Sequence, residues 1–372
     1  MLVGVPREIK NREYRVGLTP DSVREFVAHG HEVMVERDAG AGVGYTDGDY
    51  ERAGARIAAD PKEVYAAAEL VVKVKEPQAE ERRLLRPDQI LFTYLHLAPD
   101  PEQTHDLVAS GAVCIAYETV TDEHGGLPLL APMSQVAGRL AVQAGAHCLE
   151  KVRGGAGVLL GGVPGVRAAR VVVIGGGVVG ENAITMAIGL GADVVVLDRK
   201  VDVLRRLASH FGPALTTIYA TRQSLEDQVL DADLVIGAVL VTGAEAPKLV
   251  DRDMVTRMRP GSVLVDVAID QGGCFETSHP TTHDEPTYTV DDVVHYCVAN
   301  MPGAVPRTST LALNNVTLPY ALALADKGFP RALAEDAYLL DGLNVCRGRV
   351  TYRAVAEELG YDFLPPREAL KG

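Results

Sequence analysis

The segment ARVVVIGGGVVGENAITMAIGLGADVVVLDRK constrains the fold more than any other part of the chain. A β-branched run leads into Gly175, Gly177 and Gly180, which have the G-x-G-x-x-G spacing, and an alanine-rich helical stretch follows. A second β-branched run ends in Asp198, 18 residues after Gly180. The first glycine permits a tight turn, the second lets the backbone approach a pyrophosphate, and the third allows close helix–strand packing. A glycine triplet alone also occurs as plain turn chemistry, but the full context predicts a dinucleotide-binding βαβ unit.

The acidic residue at the end of the second strand indicates which dinucleotide is bound. Asp198 is expected to accept hydrogen bonds from the adenosine ribose hydroxyls. A carboxylate at this place also repels a 2′-phosphate, so NAD is favoured over NADP. Arg199 follows directly and would weaken that preference.

Alternating apolar and amphipathic segments run along nearly all 372 residues, which predicts an α/β protein with more than one core. From Arg170 onward the near-continuous runs VVVIG, DVVVLD, DLVIGAV, SVLVDVA and HYCVAN are typical of parallel strands buried on both faces. We therefore expect two doubly wound, Rossmann-like parallel-sheet domains joined by long helices, with a cleft between them. In the first domain the predicted strands are Leu2–Val5, Glu32–Glu36, Leu70–Val74, Ile90–Leu95 and Val113–Tyr117.

The domain boundaries follow from where the strand pattern stops. Met133–Leu149 reads as a long helix that bridges the two domains, and beyond Asn300 the pattern becomes helical. We expect this tail to fold back onto the first domain. That gives a discontinuous substrate domain, 1–130 plus 307–372, and an NAD-binding domain, 131–306.

Charge and cysteine usage exclude several classes of protein. A net charge of −14 argues against sequence-independent binding to nucleic acid or to an anionic membrane surface. No apolar stretch reaches the roughly 18 residues that a membrane helix needs, and the N-terminus lacks a signal-peptide core. The five cysteines show no CxxC spacing, which indicates a reducing compartment with neither disulfides nor a zinc site. We expect a cytoplasmic protein.

Two later strand ends are expected to join the dinucleotide site, because ligands of doubly wound sheets bind at the carboxyl ends of strands. One is IGAVLVTGAEAP, where Ala238–Leu240 would lie along a ribose. The other is VDVAIDQGGCFE, where Asp270 follows a buried strand and precedes a glycine pair. Asp270 is equally compatible with a simple turn-forming role before Gly272.

Three cationic or titratable residues occur where the first sheet's carboxyl edge is expected. Arg15 precedes a helix that opens at Thr19–Pro20, Lys75 follows Lys73 near the end of LVVKVKEP, and His96 ends LFTYLHLAP. A guanidinium and an ammonium in one cleft suit a small carboxylate. Each residue also has an ordinary alternative, a solvated surface cation for Arg15 and Lys75 and a structural histidine for His96.

The motifs GVPREIKNREYRVGLTP, KVKEP, YLHLA, GGGVVG, VLVDVAIDQGGCFE and VANMPGAVPRTST together resemble those of the L-alanine dehydrogenases. The likeness runs in order along essentially the whole chain. Related families are the soluble NAD-binding part of proton-pumping transhydrogenase and, more distantly, lysine-forming saccharopine dehydrogenase. The YLHLA and VDVAIDQGGCFE segments favour alanine dehydrogenase over both.

The resemblance implies an N-terminal substrate domain completed by C-terminal helices, a central NAD domain and a homohexamer, while the charge and hydropathy already argue against a nucleic-acid or membrane partner. It assigns the substrate carboxylate to Arg15 and Lys75, and catalysis to His96 and Asp270. The residues that it places along the cofactor, together with the glycines Gly175 and Gly180, are Ser134, Gly177, Val178, Asp198, Val239, Leu240, Ile269, Asp270, Val298, Ala299, Asn300 and Met301.

The chain departs from the family pattern at several positions. Relatives can carry Lys, Ser and Arg at the positions of Val203, Ala220 and His279, so some adenosine-side polar contacts are in doubt here. A Glu/His metal pair of some relatives would fall on Ala323 and Lys327, which cannot replace those ligands. No metal site is therefore expected.

The implied reaction is the reversible conversion of L-alanine, NAD and water to pyruvate, ammonium and NADH. Histidine exchanges protons near neutral pH and is the expected proton-transfer group, with Lys75 as the rival base. A transhydrogenase-type subunit that passes hydride to a partner-bound nucleotide is the main alternative, and an NAD-binding scaffold with an inactive substrate site is another. The breadth of substrate specificity is not readable from the sequence, because one methylene changes discrimination by only about 1–3 kcal/mol.

Overall fold

The computed structural model describes residues 1–239 and 246–371 and shows an α/β protein. Seven of the fifteen described strands are buried along their whole length, and several of these are short β-branched runs. In chain order the strands are β1 (Leu2–Val5), β2 (Glu32–Glu36), β3 (Arg56–Ala58), β4 (Leu70–Val72), β5 (Ile90–Thr93), β6 (Val113–Ala116), β7 (Arg170–Ile174), β8 (Asp193–Asp198), β9 (Leu215–Tyr219), β10 (Leu234–Gly237), β11 (Val263–Asp266), β12 (Thr287–Val290), β13 (Val293–Tyr296), β14 (Leu343–Cys346) and β15 (Arg349–Val350).

Several helices begin at residues whose side chains cap the first turn. Thr19 and Asp100 each accept a backbone hydrogen bond from the first turn of the helix that follows, and a proline occupies the first helical position in both cases. The helices are α1 (Pro20–Ala28), α2 (Asp47–Ala53), α3 (Pro61–Ala67), α4 (Ala79–Arg82), α5 (Pro101–Ser110), α6 (Ala131–Cys148), α7 (Val178–Gly189), α8 (Val201–Phe211), α9 (Arg222–Leu230), α10 (Arg252–Arg257), α11 (Pro306–Lys327), α12 (Phe329–Glu335), α13 (Ala337–Leu340), α14 (Arg353–Leu359) and α15 (Pro366–Ala369).

The described chain divides into two compact units. Unit 1 comprises Met1–Met133 and Val305–Gly372, and unit 2 comprises Ser134–Ala304. The sheet of unit 1 has the order β15-β14-β6-β5-β4-β1-β2-β3, and the sheet of unit 2 has the order β12-β13-β11-β10-β7-β8-β9. In each sheet the central strands are parallel, and antiparallel pairs occur only towards one edge of the described sheet. The prediction of an α/β fold with two mostly parallel sheets is confirmed.

Several details of the strand prediction were wrong. β3, β9 and β12 were not predicted, because their sequences are polar or short and lack a buried face on both sides. The expectation that no strand follows Asn300 was also wrong, since β14 and β15 form a hairpin that adds antiparallel to β6. Within the described residues, no helix combines the length and apolar character needed to span a membrane.

Candidate functional site

The three glycines after β7 each serve a different geometric purpose. Gly175 has φ +101°, a conformation that other residues rarely adopt, and turns the chain away from the strand. A Cβ at position 180 would lie 1.8 Å from the carbonyl oxygen of Gly175, so only glycine fits there. A Cβ at position 177 would meet no atom within 4 Å, and this residue caps the N-terminus of α7. The turn is therefore an open cradle of backbone N–H groups, which suits a pyrophosphate.

Asp198, the last residue of β8, is hydrogen-bonded to this turn. One carboxylate oxygen accepts from the Gly176 nitrogen at 2.8 Å, and the other accepts from the Lys200 nitrogen at 2.7 Å. Each oxygen retains a second lone pair, so ribose hydroxyls can still be bound. Asp198 thus fixes the glycine turn.

Other predicted cofactor residues lie around the same edge of the unit 2 sheet. Val239 packs against Gly175, while Leu240 lies outside the described residues. Ser134 is half-buried in α6, and this helix contacts α7 through a 2.9 Å hydrogen bond from Arg139 to Asn182. Val178 is exposed at the start of α7, Val298 and Met301 are buried, and Ala299 is half-buried.

Asp270 lies on a loop that is organised by a buried carboxylate, Asp266. The Asp266 side chain accepts hydrogen bonds from the nitrogens of Ala268 and Cys274 and, at 2.6 Å, from the Ser278 hydroxyl. Burial raises the pKa of Asp266, and these donors oppose that effect. Asp270 itself is exposed and accepts a long hydrogen bond, 3.4 Å, from the Asn300 nitrogen. The structure thereby brings two predicted segments together, the one around Ile269 and Asp270 and the one around Asn300.

Arg15 in unit 1 is buried and bound by Glu13. Nε and Nη2 of Arg15 donate to the two carboxylate oxygens of Glu13 at 2.6 and 2.5 Å, and Nη1 lies 3.1 Å from the sulfur of Met133. Burial by itself raises the pKa of Glu13, but the hydrogen bonds from Arg15 bring it down to about 2. Arg15 is therefore a charged guanidinium held in one orientation by a charged acid.

The two lysines at the end of β4 have different environments. Lys73 is fully buried, with Nζ 2.6 Å from Glu81 and 3.2 Å from Glu8, whereas Lys75 is half-buried. The segment that follows Arg15 packs tightly on the end of β4, because a Cβ at Gly17 would lie 2.3 Å from the Val72 carbonyl oxygen. This close approach brings the Arg15 and Lys75 segments side by side, and the charge of Lys75 also lowers the pKa of Glu13.

His96 follows β5 and is exposed, with its ring stacked on Tyr94 at a centroid distance of 5.9 Å. Its backbone has φ +50° and donates to Glu118, which follows the neighbouring strand β6. Burial raises the pKa of Tyr94, and the charge of the nearby Arg15 opposes this rise. Unit 1 therefore gathers Arg15, Lys75 and His96 at one edge of its sheet.

A cavity of about 420 Å³ opens beside Arg15. It is lined by residues of the 7–15 and 38–42 segments, among them Glu8 and Glu13, and neither Lys75 nor His96 is part of its lining. The cavity is thus adjacent to the predicted substrate residues and only partly coincides with them.

Sequence reasoning missed the acids that hold the predicted residues in place. Glu13, Glu118 and Asp266 bind Arg15, the His96 backbone and the Asp270 loop respectively. Two of these acids lie, like Lys75 and His96, at or just after the end of a buried strand, and this position could have identified them. Asp266 is the last residue of β11, and Glu118 lies two residues after the end of β6.

Two family models match the chain. Residues 4–137 match the alanine dehydrogenase/PNT N-terminal domain, and residues 141–353 match the alanine dehydrogenase/PNT C-terminal domain. The alanine dehydrogenase of Halomonas elongata is 62% identical over 364 residues, 98% of each chain. The alanine dehydrogenase of Bacillus subtilis is 56% identical over 372 residues, 100% of this chain and 98% of that one. A solved structure of an L-alanine dehydrogenase is 53% identical, covers 97% of this chain and 99% of its own, and superposes with a TM-score of 0.94. The chain belongs to the alanine dehydrogenase/PNT family, as its motifs predicted.

Proposed function

We propose that this chain is an NAD-dependent L-alanine dehydrogenase. It converts L-alanine, NAD⁺ and water to pyruvate, ammonium, NADH and a proton, and it catalyses the reverse reaction. The main support for the proposal is that a chain with full-length alanine dehydrogenase relatives has residues suited to bind both a dinucleotide and a small carboxylate. One site is the glycine turn with Asp198, and the other is the Arg15, Lys75 and His96 group. The full-length relatives favour this function over that of a transhydrogenase subunit.

In unit 1, Arg15 and Lys75 bind the substrate carboxylate. Glu13 fixes the guanidinium plane, so little conformational entropy is lost when the carboxylate arrives. Holding the carboxylate at two cationic points fixes the orientation of the alanine Cα–H. Such positioning supplies several kcal/mol of rate acceleration in enzymes of this kind.

In unit 2, the residues present fit NAD. The open backbone at Gly177 and the N-terminus of α7 receive the pyrophosphate, and Asp198 receives the ribose hydroxyls. Bound at these residues, NAD would supply the hydride acceptor, its nicotinamide C4, for the hydrogen on the alanine Cα. Val203, next to the glycine turn, adds an apolar contact where relatives can have Lys.

Once the alanine ammonium group has lost a proton, loss of hydride leaves an iminium ion. Water attacks this ion to give the carbinolamine, which collapses to pyruvate and ammonia, and the ammonia is released as ammonium. The attacking water loses a proton and the departing amine gains one. His96 transfers these protons, because imidazole both accepts and donates near neutral pH. Asp270 positions the amine or the water, and its carboxylate stabilises the positive charge that develops on nitrogen.

The proposal is tested by following NADH oxidation by the purified chain. Oxidation is expected only when pyruvate and ammonium are both present, and NADH is expected to be preferred to NADPH because of Asp198. Glyoxylate and 2-oxobutyrate in place of pyruvate measure the breadth of specificity. Absence of any pyruvate- and ammonium-dependent oxidation contradicts the function, and equal rates with NADPH contradict the assignment of Asp198.

A His96→Ala variant separates proton transfer from binding. We expect kcat to fall by about 100-fold or more, as for loss of a general acid–base group, while NADH binding is kept. His105→Ala is the control, since His105 is an exposed histidine on α5 of the same unit. Turnover close to wild type in His96→Ala would assign His96 to a structural role.

We further propose a homohexamer in the cytoplasm. The family resemblance supports the assembly, and light scattering on the purified chain tests it, with a monomeric mass as the contradicting result. The five cysteines support a reducing compartment, since all are free and buried.

A further inference from the structure

The carboxylate of Glu8 binds backbone nitrogens just beyond the end of β4, next to Lys75, where the pairing of β4 with β1 has stopped. β1 ends at Val5 and β4 ends at Val72, so the chain after β4 loses its neighbour on that side. The Val74 nitrogen donates instead to Glu8 Oε1 at 2.7 Å, and the Lys75 nitrogen lies 3.4 Å from the same oxygen. A buried N–H needs such a partner, and Glu8 is itself buried.

The other oxygen of Glu8 faces a buried cation. Lys73 Nζ lies 3.2 Å from Glu8 Oε2 and 2.6 Å from Glu81 Oε1, and Tyr65 donates to Glu81 at 3.3 Å. The cluster therefore contains two carboxylates and one ammonium in a region closed to solvent. Burial raises the pKa of Glu8 to about 7, and the charge of Lys73 opposes that rise.

Glu8 also belongs to the surroundings of Arg15. It lines the cavity beside Arg15, and its charge raises the pKa of that guanidinium, although burial and Glu13 have larger effects. A single side chain thus links the β4 end that carries Lys75 to the loop that carries Arg15.

We propose that Glu8 is a positioning residue for substrate binding, which sets the backbone from which Lys75 projects while Lys73 anchors its second oxygen. The inference rests on the proposed function, because it assigns Lys75 to the substrate carboxylate. Both neighbours of Glu8 require an acceptor, the N–H of Val74 on one side and the ammonium of Lys73 on the other. A carboxylate offers two acceptor oxygens, whereas an amide of the same size offers only one.

Glu8→Gln is therefore the informative substitution. It keeps the volume of the side chain but must present its NH₂ group either to Val74 or to Lys73. We expect the KM for pyruvate to rise roughly 10-fold, because a displaced Lys75 binds the carboxylate less well. We expect kcat to stay within about threefold of wild type, the pattern of lost binding that is equal in ground and transition states. The Kd for NADH, whose proposed site is in unit 2, should not change.

Glu36→Gln is the matched control. Glu36 is a buried carboxylate at the end of β2 that accepts from the Arg7 nitrogen at 2.8 Å, so it experiences the same chemical change at a neighbouring strand end. An equal rise in KM in both variants would show general damage to the sheet edge and contradict the proposal. An unchanged KM in Glu8→Gln, or a fall in kcat alone, would also contradict it.

If Glu8→Gln does not fold, Glu8→Asp replaces it, since the shorter carboxylate keeps the charge but cannot reach both neighbours. A rise in its KM supports the proposal, and a wild-type KM contradicts it. Failure of the proposed function is recognised separately, because the wild-type chain would then show no pyruvate- and ammonium-dependent oxidation of NADH.

Discussion

Glu118 accepts a 2.6 Å hydrogen bond from the backbone nitrogen of His96. The same carboxylate accepts from the Leu95 nitrogen at 3.2 Å. His96 has φ +50°, a left-handed conformation that costs a non-glycine residue roughly 1–2 kcal/mol. Since β5 and β6 are adjacent and parallel, the residues that follow them meet at one edge of the sheet. Glu118 thereby stabilises the strained backbone from which the imidazole projects.

Replacing Glu118 should impair catalysis through the position of His96. We expect Glu118→Ala to lower kcat by about 10- to 100-fold, because small displacements of a catalytic group are costly. Steady-state kinetics and a fluorescence titration with NADH measure the two effects, and NADH binding should be unchanged. Glu118→Gln keeps one acceptor oxygen and should lie between Ala and wild type. Wild-type kcat in Glu118→Ala would show that the backbone of His96 holds its conformation without this acid.

The buried pair of Arg15 and Glu13 allows stability and function to be separated. Arg15→Met removes the guanidinium from a carboxylate that is completely enclosed, and we expect the free energy of unfolding to fall by about 3 kcal/mol or more. The double variant Arg15→Met, Glu13→Gln removes both charges and should recover most of that loss. Neither variant should bind pyruvate well. Urea unfolding and the KM for pyruvate are the measurements, and a double variant as unstable as the single one would contradict the argument.

Local sequence patterns predicted part of this site, whereas contacts between distant segments could not be predicted from them. The glycine turn and Asp198 were predictable because they belong to one continuous strand–turn–helix–strand segment, so their spacing in the sequence determines their relative positions. Lys73 and Lys75 have the same local pattern, yet one is a buried anchor and the other is half-buried. That difference arises from Glu8 and Glu81, which come from a separate loop and from α4, and no local pattern records it.

The missing strands have a similar explanation. β14 is buried beside β6, a neighbour more than 200 residues away in the chain, and β15 pairs with β14 at the edge of the sheet. Their sequence, LNVCRGRV, is too short and too polar to show strand periodicity clearly. The strand pairings that stabilise these two elements join segments that are distant in the sequence, whereas sequence periodicity indicates only local conformational preference.

The glycine turn gives a matched pair of substitutions with opposite structural consequences. Gly180→Ala forces a Cβ against the Gly175 carbonyl, so we expect loss of stability and of NADH binding together. Gly177→Ala meets open space, so its unfolding free energy should remain within about 0.5 kcal/mol of wild type. Its Kd for NADH should nevertheless rise, since the added methyl group occupies the proposed path of the pyrophosphate. Thermal unfolding and an NADH titration test both, and an unchanged Kd in Gly177→Ala would place the pyrophosphate elsewhere.

Glu8 should give the protein a measurable dependence of stability on pH. Burial raises its pKa from 4.5 to about 7; the attraction of Lys73 opposes this rise, and the charges of Glu81 and Glu13 add to it. The folded state therefore binds this proton more tightly than the unfolded state. The resulting stabilisation is complete below pH 4.5 and is lost as the pH rises through about 7. For this one group the unfolding free energy should fall by about 1–3 kcal/mol from about pH 5 to about pH 8. Glu8→Gln cannot titrate and should lack this component in urea unfolding at each pH, whereas Glu123→Gln, at an exposed acid, should retain it. Identical pH profiles for Glu8→Gln and wild type would mean that Glu8 keeps its ordinary pKa in the folded protein.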